Sequence, residues 1–309
     1  MKRKALNIIN WSSLGVSSVG LLLLIIDVGF PYSGVLEVYL HTLLPVLAGF
    51  LFVLITVASA IAWMLDSSRL RSRLLEALLA IYMLAYVAFS INPHLYPQLS
   101  FFTHKFTGYW GCFFIFAIEF SRRTTSLYKL SKNPANLFIF SFALIVLLGC
   151  GLLMLPNATY EGIGFVDALF TSTSAVCVTG LIVVDTGSYF TTFGQVVILG
   201  LIQVGGIGIL TFTSFFGLFF KGGFSIQNQL FLKDVTNTNR LAEVSGIVKT
   251  IVAFTLLVEL AGGIAIFTQL NKAVLPGFVD RVLFAGFHSI SAFCNAGFST
   301  LGNSLYDLN

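Results

Sequence analysis

Long apolar stretches separated by short polar segments run along most of the chain. A helix needs about 20 mostly apolar residues to cross a lipid bilayer. Seven stretches approach or exceed this length, and the fourth is the shortest: 8–26, 39–65, 74–91, 105–120, 137–155, 193–220 and 247–270. The pattern predicts an all-α, polytopic membrane protein. The first stretch follows Met-Lys-Arg-Lys and lacks a small-residue cleavage site, which favours an uncleaved signal anchor over a signal peptide.

The composition agrees with residence in lipid and narrows the classes of function. Hydrophobic residues make up 57% of the chain and charged residues 10%, against about 25% charged residues in soluble domains. The basic residues behind the net charge of +4 cluster in short segments between apolar stretches, so they indicate topology and no nucleic-acid partner. The four cysteines lack the spacing of a metal site or a disulfide framework. Two of them, Cys177 and Cys294, are expected to pack as small side chains.

The basic residues also predict an orientation, because cytoplasmic segments of membrane proteins are enriched in Lys and Arg. With the N-terminus inside, 14 of the 17 basic residues fall in cytoplasmic segments, and Lys105, Lys272 and Arg281 fall outside. We therefore expect a multi-pass protein of the cell (inner) membrane, surrounded by lipid, with a cytoplasmic N-terminus.

A segment of 12 residues occurs twice between the later apolar stretches. The copies, 170–181 and 287–298, align without a gap at an offset of 117 and share Phe, both Ser, Ala, Cys and Gly. A Phe-Val-Asp tripeptide precedes each copy, at 165–167 and 278–280, and a Tyr follows each, at positions 189 and 306. Such repetition among membrane helices indicates a pore built by pseudo-symmetry.

The two segments that contain the helical part of each copy, 166–177 and 280–294, are too short and too rich in hydroxyl groups to cross the bilayer. Non-helical backbone at membrane depth is tolerated only where protein buries it or where it lines a water-filled cavity. We therefore expect two extracellular pore loops, each a half-spanning helix followed by extended backbone. The predicted architecture is membrane–pore-loop–membrane repeats preceded by an extra helical bundle. Its parts are an accessory bundle of about four transmembrane helices (1–132), a first repeat (133–223) and a second repeat that is incomplete at its C-terminal end (224–309).

The ends of the two pore loops suit cation passage. Rings of backbone carbonyl groups can replace the water around a cation without burying a net charge. Glycine adopts positive φ at little cost, which lets consecutive carbonyls face the same way. Neither loop end contains an acidic residue, which favours selection by carbonyls over a carboxylate ring. The candidate ion-binding residues are Val178, Thr179, Gly180, Asn295, Ala296 and Gly297.

Two further features leave alternatives open. Glu259 falls in the middle of the stretch 247–270, where an acidic residue is costly. It belongs either to the ion pathway or to a pair with a buried polar group. The glycines at positions 205, 206 and 208 mark either a hinge or close helix packing.

Three motifs together resemble the membrane subunits of the Trk/Ktr/HKT superfamily of potassium transporters. They are Thr-Ser-Ala-Val-Cys-Val-Thr-Gly-Leu (173–181), Gln-Val-Gly-Gly-Ile-Gly-Ile-Leu-Thr (203–211) and His-Ser-Ile-Ser-Ala-Phe-Cys-Asn-Ala-Gly-Phe (288–298). The resemblance covers about 133–309. It implies membrane–pore–membrane repeats around one ion path, with a filter glycine in each repeat, matched here by Gly180 and Gly297.

The resemblance further implies selective potassium uptake. The membrane voltage is energetically adequate to drive this uptake, and coupling and gating are left open. Potassium would be the transported ligand and the only metal ion, and no covalently bound cofactor is expected. A homodimer and a cytosolic nucleotide-binding regulatory subunit are the implied partners. The residues that would flank the filter are Cys177, Leu181, Cys294 and Phe298.

Other functions are weighed against this one. The superfamily carries four repeats and this sequence ends within the second, so we expect a piece of a longer protein. A non-conducting truncated or regulatory pseudo-subunit is the alternative function. An intramembrane enzyme would need clustered His, Asp, Glu or Ser on facing helices, and the sequence has no HExxH pair and no GxxxxGK loop. The protein is therefore not expected to be an enzyme.

Overall fold

The protein is predominantly helical in the part of the chain that its computed structural model describes, residues 2–31, 35–65, 70–91, 105–127, 134–221, 240–270 and 277–302. These ranges hold no β-strand, only an isolated bridge between Thr159 and Phe190. The α-helices are α1 (Lys2–Gly29), α2 (Val35–Leu65), α3 (Leu70–Ile91), α4 (Lys105–Leu127), α5 (Pro134–Leu153), α6 (Phe165–Val176), α7 (Thr186–Tyr189), α8 (Thr192–Lys221), α9 (Arg240–Gln269) and α10 (Phe278–Phe293). The predicted all-α class is confirmed.

Each of the seven predicted spans coincides with a helix, namely α1–α5, α8 and α9. Among the described residues, four helical segments are long and apolar enough to cross a membrane: Ile8–Gly29, Thr42–Ile61, Thr192–Ser214 and Val248–Gln269. Shorter apolar segments lie in α3 and α5, at Leu75–Ile91 and Phe138–Leu153. The stretch predicted at 105–120 forms α4. This helix is neither among the four segments of membrane-spanning length nor among the shorter apolar segments. The chain is a multi-pass membrane protein.

Two compact units make up the chain, Met1–Asn136 and Leu137–Asn309. The domain boundaries predicted at 132/133 and 223/224 lie outside the described residues, as does the second repeated tyrosine, Tyr306.

The first unit is a bundle of α1–α4. Helix α2 packs against α1 and α3, and α4 packs against all three of the others. Small residues allow this close packing, since Gly108 of α4 faces the Tyr86 ring and Gly111 faces Met83. The start of α4 is joined to the end of α1 by an ion pair, Lys105 Nζ to Asp27 Oδ1 at 2.9 Å. The buried core contains Leu44, Ala48, Leu51, Ile55, Ala80, Met83, Tyr86, Tyr109, Cys112 and Ile115.

The second unit is organised around α8. Helix α6 packs against α8, α10 packs against α9, and α8 also contacts α9 and α10. One buried cluster includes residues of α5, α6, α8, α10 and the segments that follow α6 and α10: Cys150, Leu153, Ala168, Ala175, Val176, Phe190, Ile198, Leu201, Ile202, Phe287, Ala296 and Phe298. The two copies of the repeated segment therefore share one hydrophobic core.

Candidate functional site: two repeated turns

The two copies of the repeated segment fold in the same way. Each consists of a helix, α6 or α10, and a turn that follows it; we call residues 177–181 the first repeated turn and 294–298 the second repeated turn. The backbone hydrogen bonds that end the two helices match pair by pair at the repeat offset of 117: Cys177 N to Thr173 O (2.8 Å) and Cys294 N to Ile290 O (2.9 Å); Thr179 N to Ser174 O (2.9 Å) and Ala296 N to Ser291 O (2.8 Å). The sequence repeat is thus a structural repeat.

Both turns have the same unusual backbone conformation. The φ angle is 56° at Val178 and 59° at Asn295, and it is 74° at Gly180 and 73° at Gly297. A β-branched residue with positive φ is rare, whereas glycine adopts this conformation without strain. Positive φ recurs at the first and third of the three candidate ion-binding residues in each turn. The two turns therefore have positive φ at the same two positions.

The two turns lie against each other. A Cβ atom added to Gly180 would meet the carbonyl oxygen of Ala296 and would lie 3.2 Å from the Gly297 Cα. A Cβ added to Gly297 would lie 3.5 Å from the Gly180 Cα. Glycine at position 180 is therefore required by both the backbone angle and this close approach. Of the six candidate ion-binding residues, the structure brings Gly180 of the first turn into contact with Ala296 and Gly297 of the second.

A serine on each of the helices α6 and α10 is bonded to the apolar helix that precedes it. Ser172 Oγ donates to the Val146 carbonyl at 2.7 Å, and Ser289 Oγ donates to the Glu259 carbonyl at 2.6 Å. The serines are related by the offset of 117, and their acceptors by an offset of 113. Hydrogen bonds of this kind satisfy a buried hydroxyl and fix the helix pair.

Glycines make room for these two serines. A Cβ on Gly149 would lie 2.5 Å from Ser172 Oγ, and a Cβ on Gly262 would lie 2.6 Å from Ser289 Oγ. These glycines are also 113 positions apart. The repeat therefore extends from the turns back into α5 and α9. Sequence reasoning missed this set, although the 113-residue offset between the two Phe-Val-Asp tripeptides was a signal for it.

The change of offset marks a difference in helix length. Helix α6 has 12 residues and α10 has 16, and four residues are about one helical turn.

Near the start of the longer helix, the Arg281 guanidinium lies over the Phe267 ring, 5.0 Å from its centroid, and so joins α10 to the end of α9. Asp167 and Asp280 lie in the first turns of the two helices, where negative charge is favourable.

Side chains of α6 and α10 also bond to the turns. Thr179 Oγ1 lies 3.0 Å from Ser174 Oγ in the first copy, and Ser291 Oγ donates to the Phe298 carbonyl at 2.7 Å in the second. His288 Nδ1 lies 2.9 Å from the Phe284 carbonyl, which only accepts, so Nδ1 carries the proton.

The flanking residues differ between the copies. Leu181 is exposed and Phe298 is buried. Cys177 is exposed, so the prediction that it packs as a small side chain is wrong for this residue, because the end of α6 leaves it on the surface. Cys294 is half-buried and lies against Gly206 of α8, where an added Cβ would be 2.5 Å from its Sγ. Both thiols are free.

The glycines of α8 serve close packing. An added Cβ at Gly205 would meet the backbone of Val176, and one at Gly208 would lie 3.0 Å from the Phe142 ring. Together with the contact between Gly206 and Cys294, these approaches support the packing interpretation over the hinge.

Glu259 is buried in the middle of α9 and bonded on two sides. Its Oε2 accepts from Gln203 Nε2 of α8 at 3.0 Å, and its Oε1 lies 3.9 Å from Cys294 Sγ. Pairing with a buried polar group is therefore the interpretation that the structure supports. No cluster of three His, Cys, Asp or Glu side chains that could hold a metal ion occurs in the described ranges.

The segment that follows the first repeated turn lies in close contact with the segment that follows the second. Asp185 accepts hydrogen bonds from Ser188 N at 2.8 Å and Ser188 Oγ at 2.7 Å, which caps the short helix α7. An added Cβ on Gly187 would meet the carbonyl group of Thr300. Hydrogen bonding from Ser188 lowers the pKa of the Asp185 carboxyl below its usual value.

Apolar helices of membrane-spanning length, combined with two half-length helices that end in matching turns, define a class of α-helical membrane protein with re-entrant segments. The family model described as cation transport protein, TrkH, matches residues 101–309. The chain belongs to this family. The match begins before residue 133, where the resemblance was expected to start, and so includes α4.

The individual relatives of the chain include proteins named for potassium uptake. The chain is 37% identical over 173 residues to the Ktr system potassium uptake protein B of Bacillus subtilis, which covers 56% of this chain and 38% of that protein. It is 37% identical over 180 residues to the potassium/sodium uptake protein NtpJ of Enterococcus hirae, again covering 56% and 38%. For the Ktr system potassium uptake protein B of Vibrio alginolyticus the identity is 37% over 179 residues, 57% of this chain and 38% of that protein. The matched region is thus well under half the length of these relatives.

Proposed function

We propose that the protein takes up potassium ions across the cell membrane through a path lined by the two repeated turns. The observation that carries this proposal is the shared backbone conformation of the turns, with positive φ at matching residues and direct approach of Gly180 to Ala296. The carbonyl groups of residues 178–180 and 295–297 coordinate the ion. Membership of a cation transport family and similarity to proteins named for potassium uptake support the proposal of potassium uptake.

Selection by carbonyl groups fits the chemistry of the two turns. No residue from 177 to 181 or from 294 to 298 is acidic, so a dehydrated cation is met by dipoles and not by a fixed charge. The helices α6 and α10 end immediately before the turns, and a helix C-terminus carries partial negative charge. This charge stabilises a cation beside each turn.

The membrane voltage is sufficient to drive uptake. One elementary charge gains about 2.3 kcal/mol per 100 mV. A voltage of roughly 150 mV therefore supplies about 3.5 kcal/mol, which corresponds to several hundred-fold accumulation, since each tenfold ratio takes about 1.4 kcal/mol. A covalently bound cofactor and an enzymatic step are not needed for this uptake.

The remaining features of the proposal concern arrangement and partners. The N-terminus is cytoplasmic and both pore loops face outside, as the distribution of basic residues favours. Residues 1–132 form an accessory bundle, and 133–223 and 224–309 form two repeats of the permeation unit. The protein acts as a homodimer in lipid with a cytosolic nucleotide-binding regulatory subunit.

The test is tracer uptake into proteoliposomes with an imposed negative internal voltage. The proposal predicts rubidium or potassium uptake that collapses with the voltage and that excess external potassium suppresses more strongly than excess sodium. Growth rescue of a potassium-uptake-deficient bacterium on low potassium is the matching cellular measurement. Absence of uptake by well-expressed, monodisperse protein would contradict the proposal and favour a non-conducting subunit.

A further inference from the structure

Glu259 makes the second repeated turn chemically different from the first. The two turns share their backbone, but the residues behind them do not match. The position that corresponds to Glu259 in the first repeat, 113 residues earlier, is Val146. Both residues accept a serine hydroxyl at their main-chain carbonyl, so they occupy equivalent places. Only the second repeat has a carboxylate there.

The Glu259 side chain connects α8 to the second repeated turn. Its Oε2 accepts from Gln203 Nε2 at 3.0 Å, and its Oε1 faces Cys294 Sγ at 3.9 Å, within reach of a weak S–H donor. Gln203 belongs to α8, Glu259 to α9, and Cys294 is the first residue after α10. Three elements therefore meet at one buried carboxyl group.

Helix α8 encloses the same cysteine from the other side. Gly206 lies one helical turn after Gln203, and an added Cβ there would be 2.5 Å from Cys294 Sγ. The thiol thus sits between Gly206 and Glu259. In the first copy, Cys177 is exposed, and it lacks a carboxylate behind it because Val146 occupies the equivalent position.

We propose that Glu259 is a positioning residue that sets ion selectivity by fixing Cys294 and, through it, the carbonyl groups of Asn295 and Ala296. The Asn295 backbone is held with φ of 59°, and the amide nitrogens of Asn295 and Ala296 bond back to Ala292 and Ser291 at 3.0 and 2.8 Å. Displacement of Cys294 therefore moves the next two peptide groups. Contact with the ion is not part of this role, and the inference rests on the proposed function.

The experiment compares the ratio of potassium to sodium uptake in variants of the full protein. Glu259→Val gives the second repeat the residue of the first, and the ratio falls about tenfold, which corresponds to ~1.4 kcal/mol. Gln203→Leu removes the anchor of the carboxyl group and shifts the ratio in the same direction. Glu259→Gln, which still accepts from Gln203, keeps the ratio within about twofold, or ~0.4 kcal/mol.

A steric pair provides a matched control on α8. Gly206→Ala pushes against Cys294 Sγ and lowers the ratio, whereas Gly200→Ala has nothing within 4 Å of its new Cβ and leaves the ratio unchanged.

Alkylation of Cys294 provides a second readout, resolved from the other cysteines by mass spectrometry. We expect it to be faster in Glu259→Val and Gln203→Leu than in the wild type. This second readout applies even when transport is lost.

The outcomes separate this inference from the proposed function. If the wild-type protein takes up neither ion, the proposed function fails. If the wild-type protein selects potassium and the Glu259→Val, Gln203→Leu and Gly206→Ala variants all keep the wild-type ratio, Glu259 does not set selectivity and the inference is overturned. If Glu259→Val and Gln203→Leu lose transport, an unchanged alkylation rate of Cys294 overturns it.

Discussion

Val178 and Asn295 share a left-handed backbone conformation, with φ angles of 56° and 59°. They are the two non-glycine residues with positive φ among the described residues, and they occupy the same position in the two copies of the repeat. A left-handed conformation costs most residues about 1–2 kcal/mol and costs Asn less. That a β-branched residue adopts it at position 178 indicates that the turn, and not the side chain, dictates the conformation.

The first prediction follows from the side chains at these two positions. Asn295→Val places a β-branched residue in a left-handed conformation, so we expect a loss of about 1 kcal/mol in stability. A lower apparent melting temperature of the purified protein measures this loss. Val178→Asn serves as the reciprocal control, since it introduces the more tolerant residue and the conformational cost falls. Equal melting temperatures for Asn295→Val and the wild type would show that position 295 does not keep this conformation.

The second prediction concerns Gly180. Gly180→Ala forces a Cβ atom against the Ala296 carbonyl, so we expect potassium-over-sodium selectivity to fall and melting temperature to drop. Gly162→Ala is the matched control, because Gly162 also has positive φ (81°) but has nothing within 4 Å of an added Cβ. The control carries only the backbone cost of about 1–2 kcal/mol. Competitive tracer uptake distinguishes the variants, and equal selectivity in both would exclude a filter role for Gly180.

The third prediction is a double-mutant cycle on the brace between α9 and α10. Ser289→Ala removes a buried hydrogen bond and should cost about 1 kcal/mol. Gly262→Ala alone pushes against Ser289 Oγ, but in the Ser289→Ala background that oxygen is absent, so the double variant should lose less than the sum of the single variants. Apparent melting temperatures give the coupling.

Gly151→Ala is the control for the third prediction, since an added Cβ at this position in α5 has nothing within 4 Å. Its effect should be independent of Ser289→Ala. Additive losses for the Gly262 and Ser289 variants would contradict the brace.

The fourth prediction concerns pH and Asp185. Hydrogen bonds from Ser188 lower the pKa of the Asp185 carboxyl below the ordinary value of 3.8. A depressed pKa stabilises the folded state above the unfolded-state pKa, and this stabilisation is lost as the pH falls through the folded-state value. The cap of α7 should therefore open only below about pH 4. Hydrogen exchange at residues 186–189 measures the opening; Asp185→Asn should abolish its pH dependence, and persistence of that dependence would assign it to another group.

Much of the fold was accessible from the sequence because membrane helices leave a strong signal in hydropathy. All seven predicted stretches are helical, and the 12-residue repeat predicted two short helices that end in matching turns. Periodicity alone could not give the partners of these helices. The acceptors of Ser172 and Ser289 depend on tertiary packing, and the 113-residue offset of the two Phe-Val-Asp tripeptides is explained only by the four-residue difference in helix length that the structure shows.

The environment of the flanking residues was the least accessible part of the site. Cys177 and Cys294 are identical residues at equivalent positions, yet one is exposed and the other is half-buried. The difference arises from α8, which meets Cys294 at Gly206. Glu259 could be recognised as unusual from its position in an apolar stretch, but its partner Gln203 lies 56 residues away and in another helix.

The proposed function requires that a cation binds beside the carbonyl groups of the two repeated turns. The most direct test is a crystal structure of the protein with rubidium or thallium, in which anomalous scattering locates the ion. We expect an ion beside the carbonyl oxygens of residues 178–180 and 295–297, and we expect excess potassium, but not excess sodium, to displace it. Anomalous density that is absent there at ion concentrations that sustain uptake, or that lies beside Glu259 instead, would contradict the proposed function.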